Sequence, residues 1–207
     1  MAVSRFLTGL ALLACVYAAP LPAQAQSSGS AQQAADFVRD ASNRALALVV
    51  QKDRIHLNEL IQQTFDLDGI GKFALGRGWQ TATPEQRAEY QRLFVSATSQ
   101  TYADRLAAEK GATLTVHGAR LGAEPGEYLV SAEVRRASGE SMDLDLKVRD
   151  GAIGMRIVDV LAGGVSMDIT QRSDFASVLR RQGVDGLISQ LRAHITLMEA
   201  SATAAAQ

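Results

Sequence analysis

Hydrophobic residues recur at helical spacing through the first half of the chain. Between residues 34 and 49 they fall three or four positions apart, which predicts one amphipathic helix. Shorter runs with similar spacing, over 55–65 and 70–75, predict two more helices. A fourth helix should begin at Thr83, because a capping threonine followed by Pro84 is a strong start signal, and it should continue to about residue 110.

The spacing changes from helical to strictly alternating after Gly111. Over residues 142–148 every second side chain is apolar and the residues between them are charged, which predicts a strand with one apolar face. Three other segments have the composition of strands and are separated by short turns: 113–121, 127–136 and 155–161. Because short turns join antiparallel neighbours, these segments predict a four-stranded antiparallel sheet.

Helical spacing returns after Gly163-Gly164. Phe175, Val178 and Leu179 indicate one helical segment, and the apolar series from Val184 to Met198 indicates a last one. Helices that precede and follow a run of strands along the sequence predict an α+β fold. We expect the helices to gather on one face of the sheet.

Composition favours a single domain without a strong electrostatic field. The chain has 207 residues, of which 47% are hydrophobic, enough for one core of ordinary size. We therefore expect one domain over 26–200, followed by a frayed tail over 201–207. The 21 Lys and Arg residues are balanced by 22 Asp and Glu residues, which argues against a nucleic-acid partner.

The first 25 residues have the organisation of a signal peptide. Arg5 precedes an apolar run over 6–19, shorter than the roughly 20 residues that a membrane-spanning helix needs. Ala23-Gln24-Ala25 is the small-x-small pattern that signal peptidase accepts, so we expect cleavage after residue 25. A competing lipoprotein-like site ends at Cys15 and would leave that cysteine acylated on a membrane.

The sequence carries no pattern typical of a metal site, a cofactor site or a catalytic centre. His56, His117 and His194 fall in separate predicted elements without ligand-like spacing. The segment 71–78 has the two glycines of a phosphate loop, but Arg77 stands where that loop requires lysine.

Asp159 interrupts the apolar strand over 155–161, where an unpaired buried carboxylate would be costly. Arg172, beyond the Gly163-Gly164 turn, is the candidate partner for a bidentate ion pair. We interpret this pair as structural, holding the turn and the strand register, because no nucleophile or second carboxylate motif accompanies it.

The order and spacing of several motifs resemble the MlaC or toluene-tolerance family of periplasmic lipid-binding proteins, including its hopanoid-associated branch. The resemblance spans most of the chain after residue 25. Its motifs are Phe65-Asp66, Leu75-Gly76, Trp79, Ala82-Thr83-Pro84-Glu85-Gln86-Arg87, Thr101-Tyr102, Arg105-Leu106, Val158-Asp159-Val160, Gly164-Val165-Ser166-Met167 and Gln171-Arg172-Ser173-Asp174-Phe175.

The resemblance implies a sheet wrapped by helices around an apolar lipid pocket, and a non-catalytic carrier that shuttles phospholipid between outer and inner membranes. It also implies partners, namely an inner-membrane ABC-type lipid transport complex and an outer-membrane lipoprotein complex. Two departures bear on the cargo: Met155 stands where the family commonly has Trp, and Thr170-Gln171 where an aromatic residue often precedes the arginine.

Six apolar residues are candidates for the lining of the lipid pocket. They come from the apolar sheet face and the long helix: Phe94, Tyr102, Val130, Leu144, Leu146 and Val160. Periodicity alone favours ordinary core positions for each of these residues, and only the resemblance favours a cavity.

Three functions stay open at this point. The first is a phospholipid carrier, and the second is a carrier of a polycyclic lipid such as a hopanoid. The third is a small periplasmic hydrolase or isomerase, which a second titratable group beside Asp159 would favour and an ion pair at Asp159 would disfavour.

Overall fold

The computed structural model describes residues 23–205. The predicted signal peptide and Cys15 lie outside the described residues, apart from 23–25, where the first helix begins. Over 23–205, no helix combines the length and the apolar character that crossing a membrane would require.

Six helices and five strands follow one another in this part of the chain. The helices are α1 (Ala23–Gln51), α2 (Arg54–Thr64), α3 (Leu67–Leu75), α4 (Arg77–Thr81), α5 (Pro84–Ala108) and α6 (Met167–Ala205). The strands are β1 (Thr113–Leu121), β2 (Glu127–Arg135), β3 (Ser141–Gly151), β4 (Gly154–Ala162) and β5 (Val165–Ser166).

The last helix is divided, as the spacing of its apolar residues predicts. Gly183 has a φ of 67°, in the left-handed region that favours glycine, and this interrupts the helical geometry of α6. The second part of α6 continues to Ala205, so residues 201–205 are helical where the sequence predicts a tail.

The strands form one antiparallel sheet in the order β1-β2-β3-β4-β5. The predicted α+β fold is therefore confirmed, with four long strands and a fifth that contributes only two residues opposite Leu161 and Ala162. The register places Val130 opposite Leu146, and Leu146 opposite Val160, so these three side chains form a row on one face of the sheet.

A β-bulge at Val158 changes the alternation of β4. Lys147 pairs with Asp159, whereas the next residue, Val148, pairs with Ile157 and leaves Val158 as the extra residue. Ile157 therefore shares the apolar face with Val148, while Asp159 lies opposite Lys147 on the other face. The bulge explains how one strand carries both a continuous apolar row and a carboxylate.

Helix α1 packs across the apolar face of the sheet. Ala34, Ala35 and Val38 are fully buried there against residues from β2, β3 and β4. Two adjacent alanines leave little bulk between helix and sheet, so the backbone of α1 can approach the strands closely.

Helices α2, α3 and α6 contact β4, whereas α1 contacts β1 and β2. The chain between α2 and α3 pairs with the edge of β4 next to Ile157, where the Asp66 N–H donates a 2.9 Å hydrogen bond to the Ile157 carbonyl. Because β5 pairs only with the far end of β4, this edge is open for Phe65-Asp66, and the helices on either side extend away from it.

The buried side chains form three clusters that meet at Phe65. One lies under α1 on the sheet, a second among α3, α5 and α6, and a third among α1, α2 and α5. Phe65 packs against all three, and its ring therefore joins the sheet to the helices.

The start of α5 confirms the predicted capping box. The Gln86 N–H donates to Thr83 Oγ1 at 3.2 Å, and the Thr83 N–H donates to Gln86 Oε1 at 3.0 Å. The Gln86 side chain also donates to Asp185 at 2.7 Å, so the cap links α5 to the second part of α6.

Replacing Thr83 by Ala should lower the free energy of unfolding by about 1 kcal/mol, because the first turn of α5 loses its side-chain acceptor. Urea unfolding followed by circular dichroism measures the change. Thr83→Ser keeps the hydroxyl and should retain most of the stability. Equal losses in the two variants would contradict a capping role.

Candidate functional site

Four of the six predicted lining residues share the apolar face of the sheet. Val130 is 0% exposed and Leu146 is buried, because both lie under α1. Leu144 and Val160 are half-buried and pack at the edge of the same cluster. The face therefore has a closed part beneath α1 and a partly open part at Leu144 and Val160.

Tyr102 lies where the helices approach this face. Its ring contacts Phe65, with 5.6 Å between the ring centroids. Burial, and next the negative charge of Asp168, raises the pKa of the Tyr102 hydroxyl. Tyr102 is therefore a neutral, half-buried side chain that packs among α1, α2 and α5 near two acidic residues, Asp168 and Asp159.

Phe94 is not part of this arrangement. It is buried in the cluster among α3, α5 and α6, where its ring meets Phe175 edge to face with centroids 6.1 Å apart. Eight residues separate Phe94 from Tyr102, a distance of about 12 Å along a helix axis, so α5 serves two different clusters. The two residues therefore lie in different clusters, and a lining role for each stays a prediction.

Two surface clefts lie elsewhere on the protein. One, of about 400 Å³, runs between α2 and α5, and the other, of about 430 Å³, lies among α3, α4 and the first part of α6. Neither is lined by any of the six candidate residues. The lipid cavity at the sheet therefore stays a prediction.

Asp159 has different partners from the one that the sequence predicts. The Lys147 Nζ lies 3.7 Å from its carboxylate, Ser166 Oγ donates to it at 2.7 Å, and the Asp168 N–H donates at 3.2 Å. The predicted ion pair with Arg172 is therefore wrong. The Arg172 guanidinium lies instead 4.7 Å from the centre of the Phe73 ring.

The geometry of α6 explains the error. Arg172 follows Asp168 by four residues, which places it about 6 Å farther along the helix axis from Asp159. Lys147 is directly opposite Asp159 in the register of β3 and β4, and reaches it without leaving the sheet. The Lys147–Asp159 pair joins β3 to β4, and the hydrogen bonds from Ser166 and Asp168 join Asp159 to the start of α6.

Asp168 is a functional candidate that the sequence does not single out. Burial, and next the negative charge of Asp159, raises its pKa to about 7, and Asp66 acts in the same direction. Lys147 lowers the pKa of Asp168, but this one ammonium group serves two carboxylates. Asp168 therefore holds its proton for about half of the time near neutral pH.

The polar cluster has the parts of a structural cap rather than of a nucleophilic centre. Ser166 Oγ donates to Asp159 and accepts the Ile169 N–H at 3.1 Å, as a residue that caps a helix does. Of the histidines, His194 contacts Thr101 and His56 contacts Asp53, so neither is placed as a base for Ser166. Within residues 23–205 no three His, Cys, Asp or Glu side chains group as a metal site.

The raised pKa of Asp168 makes the stability of the fold depend on pH. Because the folded state holds the proton more tightly than the unfolded state, the contribution of Asp168 is fully present below about pH 4 and is lost as pH rises through 7. Asp168→Asn stays neutral, and should therefore raise the melting temperature more at pH 8 than at pH 5.

Thermal unfolding of both proteins at the two pH values measures this difference. Asp174→Asn, on the exposed face of the same helix, is the matched control and should show no pH-dependent gain. A gain for Asp168→Asn that is the same at pH 5 and pH 8 would show that burial does not hold its proton.

A solved structure shares this architecture. It is a phospholipid-binding protein from Ralstonia solanacearum in complex with a phospholipid, and it is 27% identical to this chain. The TM-score is 0.68, and the match covers 82% of this chain and 98% of that protein. The similarity therefore extends over the sheet and the helices together.

A family comparison leads to the same group of proteins. The sequence model of the family described as MlaC protein matches residues 32–193, which include α2 to α5, all five strands and most of α1 and α6. The resemblance inferred from the sequence motifs is thereby confirmed. The chain belongs to the MlaC family.

Proposed function

We propose that this protein is a periplasmic carrier that binds a phospholipid and shuttles it between the outer and inner membranes without altering it. The observation that carries the proposal is the similarity to a protein solved with a phospholipid bound, a match that covers 82% of this chain and 98% of that protein. The apolar face of the sheet, with its partly open part at Leu144 and Val160, agrees with this proposal.

The lipid would bind where the sheet meets the helices, with its acyl chains on the partly open part of the apolar face. Each CH₂ group removed from water contributes about 0.8 kcal/mol, so a chain of about 16 carbons gains roughly 12 kcal/mol at most. Phe65 packs against the same cluster as Leu144 and Val160, and its ring contacts Tyr102 of α5.

Unloading would need a receptor, because a lipid held this firmly does not leave unaided at a useful rate. A receptor that binds the opened state better than the closed one shifts the population towards release. The proposed partners are an inner-membrane ABC-type lipid transport complex and an outer-membrane lipoprotein complex, in agreement with membership of the MlaC family.

Mass spectrometry of lipids extracted from the purified protein tests the cargo. Phospholipid bound at about one molecule per protein is the expected result. A polycyclic lipid such as a hopanoid in its place would support the alternative carrier, and protein that carries no lipid would contradict both.

Leu144→Trp should lower the amount of co-purified lipid several-fold while leaving the melting temperature near that of the wild type. The indole would occupy space that the lipid needs at the half-buried edge, whereas in a fully packed core it would destabilise the protein by about 1 to 3 kcal/mol. Lipid extraction and thermal unfolding are measured on the same sample.

Leu129→Trp is the matched control for this variant. Leu129 is also half-buried, but it lies on β2 opposite Lys147, on the other face of the sheet. It should keep its full lipid load. Unfolding of Leu144→Trp, or an undiminished lipid load in it, would argue against this position as part of the pocket.

Export to the periplasm is tested at the proposed processing site. Ala25→Arg should cause unprocessed precursor to accumulate, because signal peptidase needs a small residue before the cut. Cys15→Ser should be processed normally. The reverse result, with processing blocked only by Cys15→Ser, would indicate an acylated, membrane-attached protein.

A further inference from the structure

A basic and aromatic surface lies around the cleft among α3, α4 and the first part of α6. We call it the basic–aromatic patch, and its members are Lys72, Phe73, Arg77, Trp79, Arg87 and Arg172. Phe73 is 40% exposed, and Trp79 is half-buried beside it. The patch is separate from the apolar face of the sheet, where the cargo is proposed to bind.

The four cations of the patch form no ion pair with any residue in the described part of the chain. Three of them lie over aromatic rings instead. The Arg172 guanidinium is 4.7 Å from the Phe73 ring centre, and Lys72 and Arg87 are 5.6 and 5.7 Å from that of Trp79. Within residues 23–205, the positive charge of the patch is therefore left without an acidic ion-pair partner.

Glycine at position 76 makes the patch continuous across three helices. Gly76 links α3 to α4 with a φ of 57°, and a Cβ added there would lie 3.3 Å from Arg172 Nε. The absence of a side chain lets Arg172 of α6 cross the link and reach Phe73 of α3. The cations are therefore held in place by the fold rather than being scattered on a flexible loop.

We infer that the basic–aromatic patch is the surface through which this protein contacts an anionic phospholipid bilayer. A membrane surface has charged headgroups above an apolar boundary. Lysine and arginine can contact the anionic headgroups, while tryptophan and phenylalanine beside them can contact the apolar boundary. The net charge of the whole chain is −1, so attraction to a bilayer would act through this patch and orient the protein.

Membrane contact goes beyond the proposed function, because a carrier can exchange lipid entirely through protein receptors. An acidic protein would also attract four unpaired cations. The rings favour the bilayer, because Phe73 and Trp79 lie within the cation cluster itself, where insertion below the headgroups brings both kinds of group into contact together.

Trp79 makes a direct test possible, because it is the only tryptophan in the sequence. The lipid-loaded protein is mixed at low salt with vesicles of phosphatidylglycerol and phosphatidylcholine, or of phosphatidylcholine alone. We expect the protein to sediment with the anionic vesicles and its Trp79 emission to shift to shorter wavelength. Both effects should be lost at high salt, where charges on exposed surfaces are screened.

Each cation near an anionic surface strengthens binding by about fivefold. The double variant Lys72→Gln with Arg77→Gln should therefore bind anionic vesicles about 25-fold more weakly. Both side chains are exposed, and circular dichroism together with lipid content checks that the variant folds and keeps its cargo. The matched control is Lys110→Gln with Arg120→Gln, two exposed cations outside the patch, and it should bind like the wild type.

Several results would overturn the inference. They are failure to bind anionic vesicles, equal binding to both vesicle types, binding without a change in Trp79 emission, and equal weakening in the control variant. Retention on immobilised polyglutamate without vesicle binding would identify an acidic protein surface as the partner instead.

Discussion

The edge of β4 next to Ile157 is closed by Phe65-Asp66 rather than by another strand, and the position of the helices depends on this short piece of backbone pairing. α2 ends just before the paired residues and α3 begins just after them, so one end of each helix is fixed to the sheet. α6 reaches the same edge from the other direction through β5. The side chain of Phe65 then joins the three clusters that the pairing brings together.

The same edge concentrates polar groups beside apolar ones. Asp159, Ser166 and Asp168 form a cap for α6, and both aspartates affect the pKa of Tyr102. Among the described residues, Lys147 is the only cation that forms an ion pair with Asp159. Asp168 is half-buried, and its burial and the nearby Asp159 raise its pKa. The cap is therefore a part of the sheet–helix junction that responds to pH.

The sequence predicts most of the elements, because each depends on local spacing or on a cap. The four long strands, the capping box at Thr83 and the division of α6 before Val184 all follow from residues within a few positions of each other. The two-residue β5 and the five-residue α4 are too short for periodicity to reveal.

The candidate site is less predictable, because it depends on which elements face each other. Alternation identifies Val130, Leu146 and Val160 as one set, but it does not show that α1 covers only part of their face. Phe94 and Tyr102 are both apolar positions of α5, and only the packing assigns them to different clusters. The pKa of Asp168 is raised first by its burial and next by Asp159, nine residues away in a different element, and neither follows from local spacing.

The extra residue at Val158 reverses, between the two halves of β4, which residues point to the apolar face: odd-numbered ones before it and even-numbered ones after it. Before the bulge, odd-numbered residues such as Ile157 point to the apolar face, whereas after it the even-numbered Val160 does so. Anyone who designs a cysteine-labelling or crosslinking scan along this strand by counting every second residue would probe the wrong side of the sheet in one half. A sequence alignment that places a gap one position away from the bulge would assign side chains of β4 in a relative to the wrong face of the sheet.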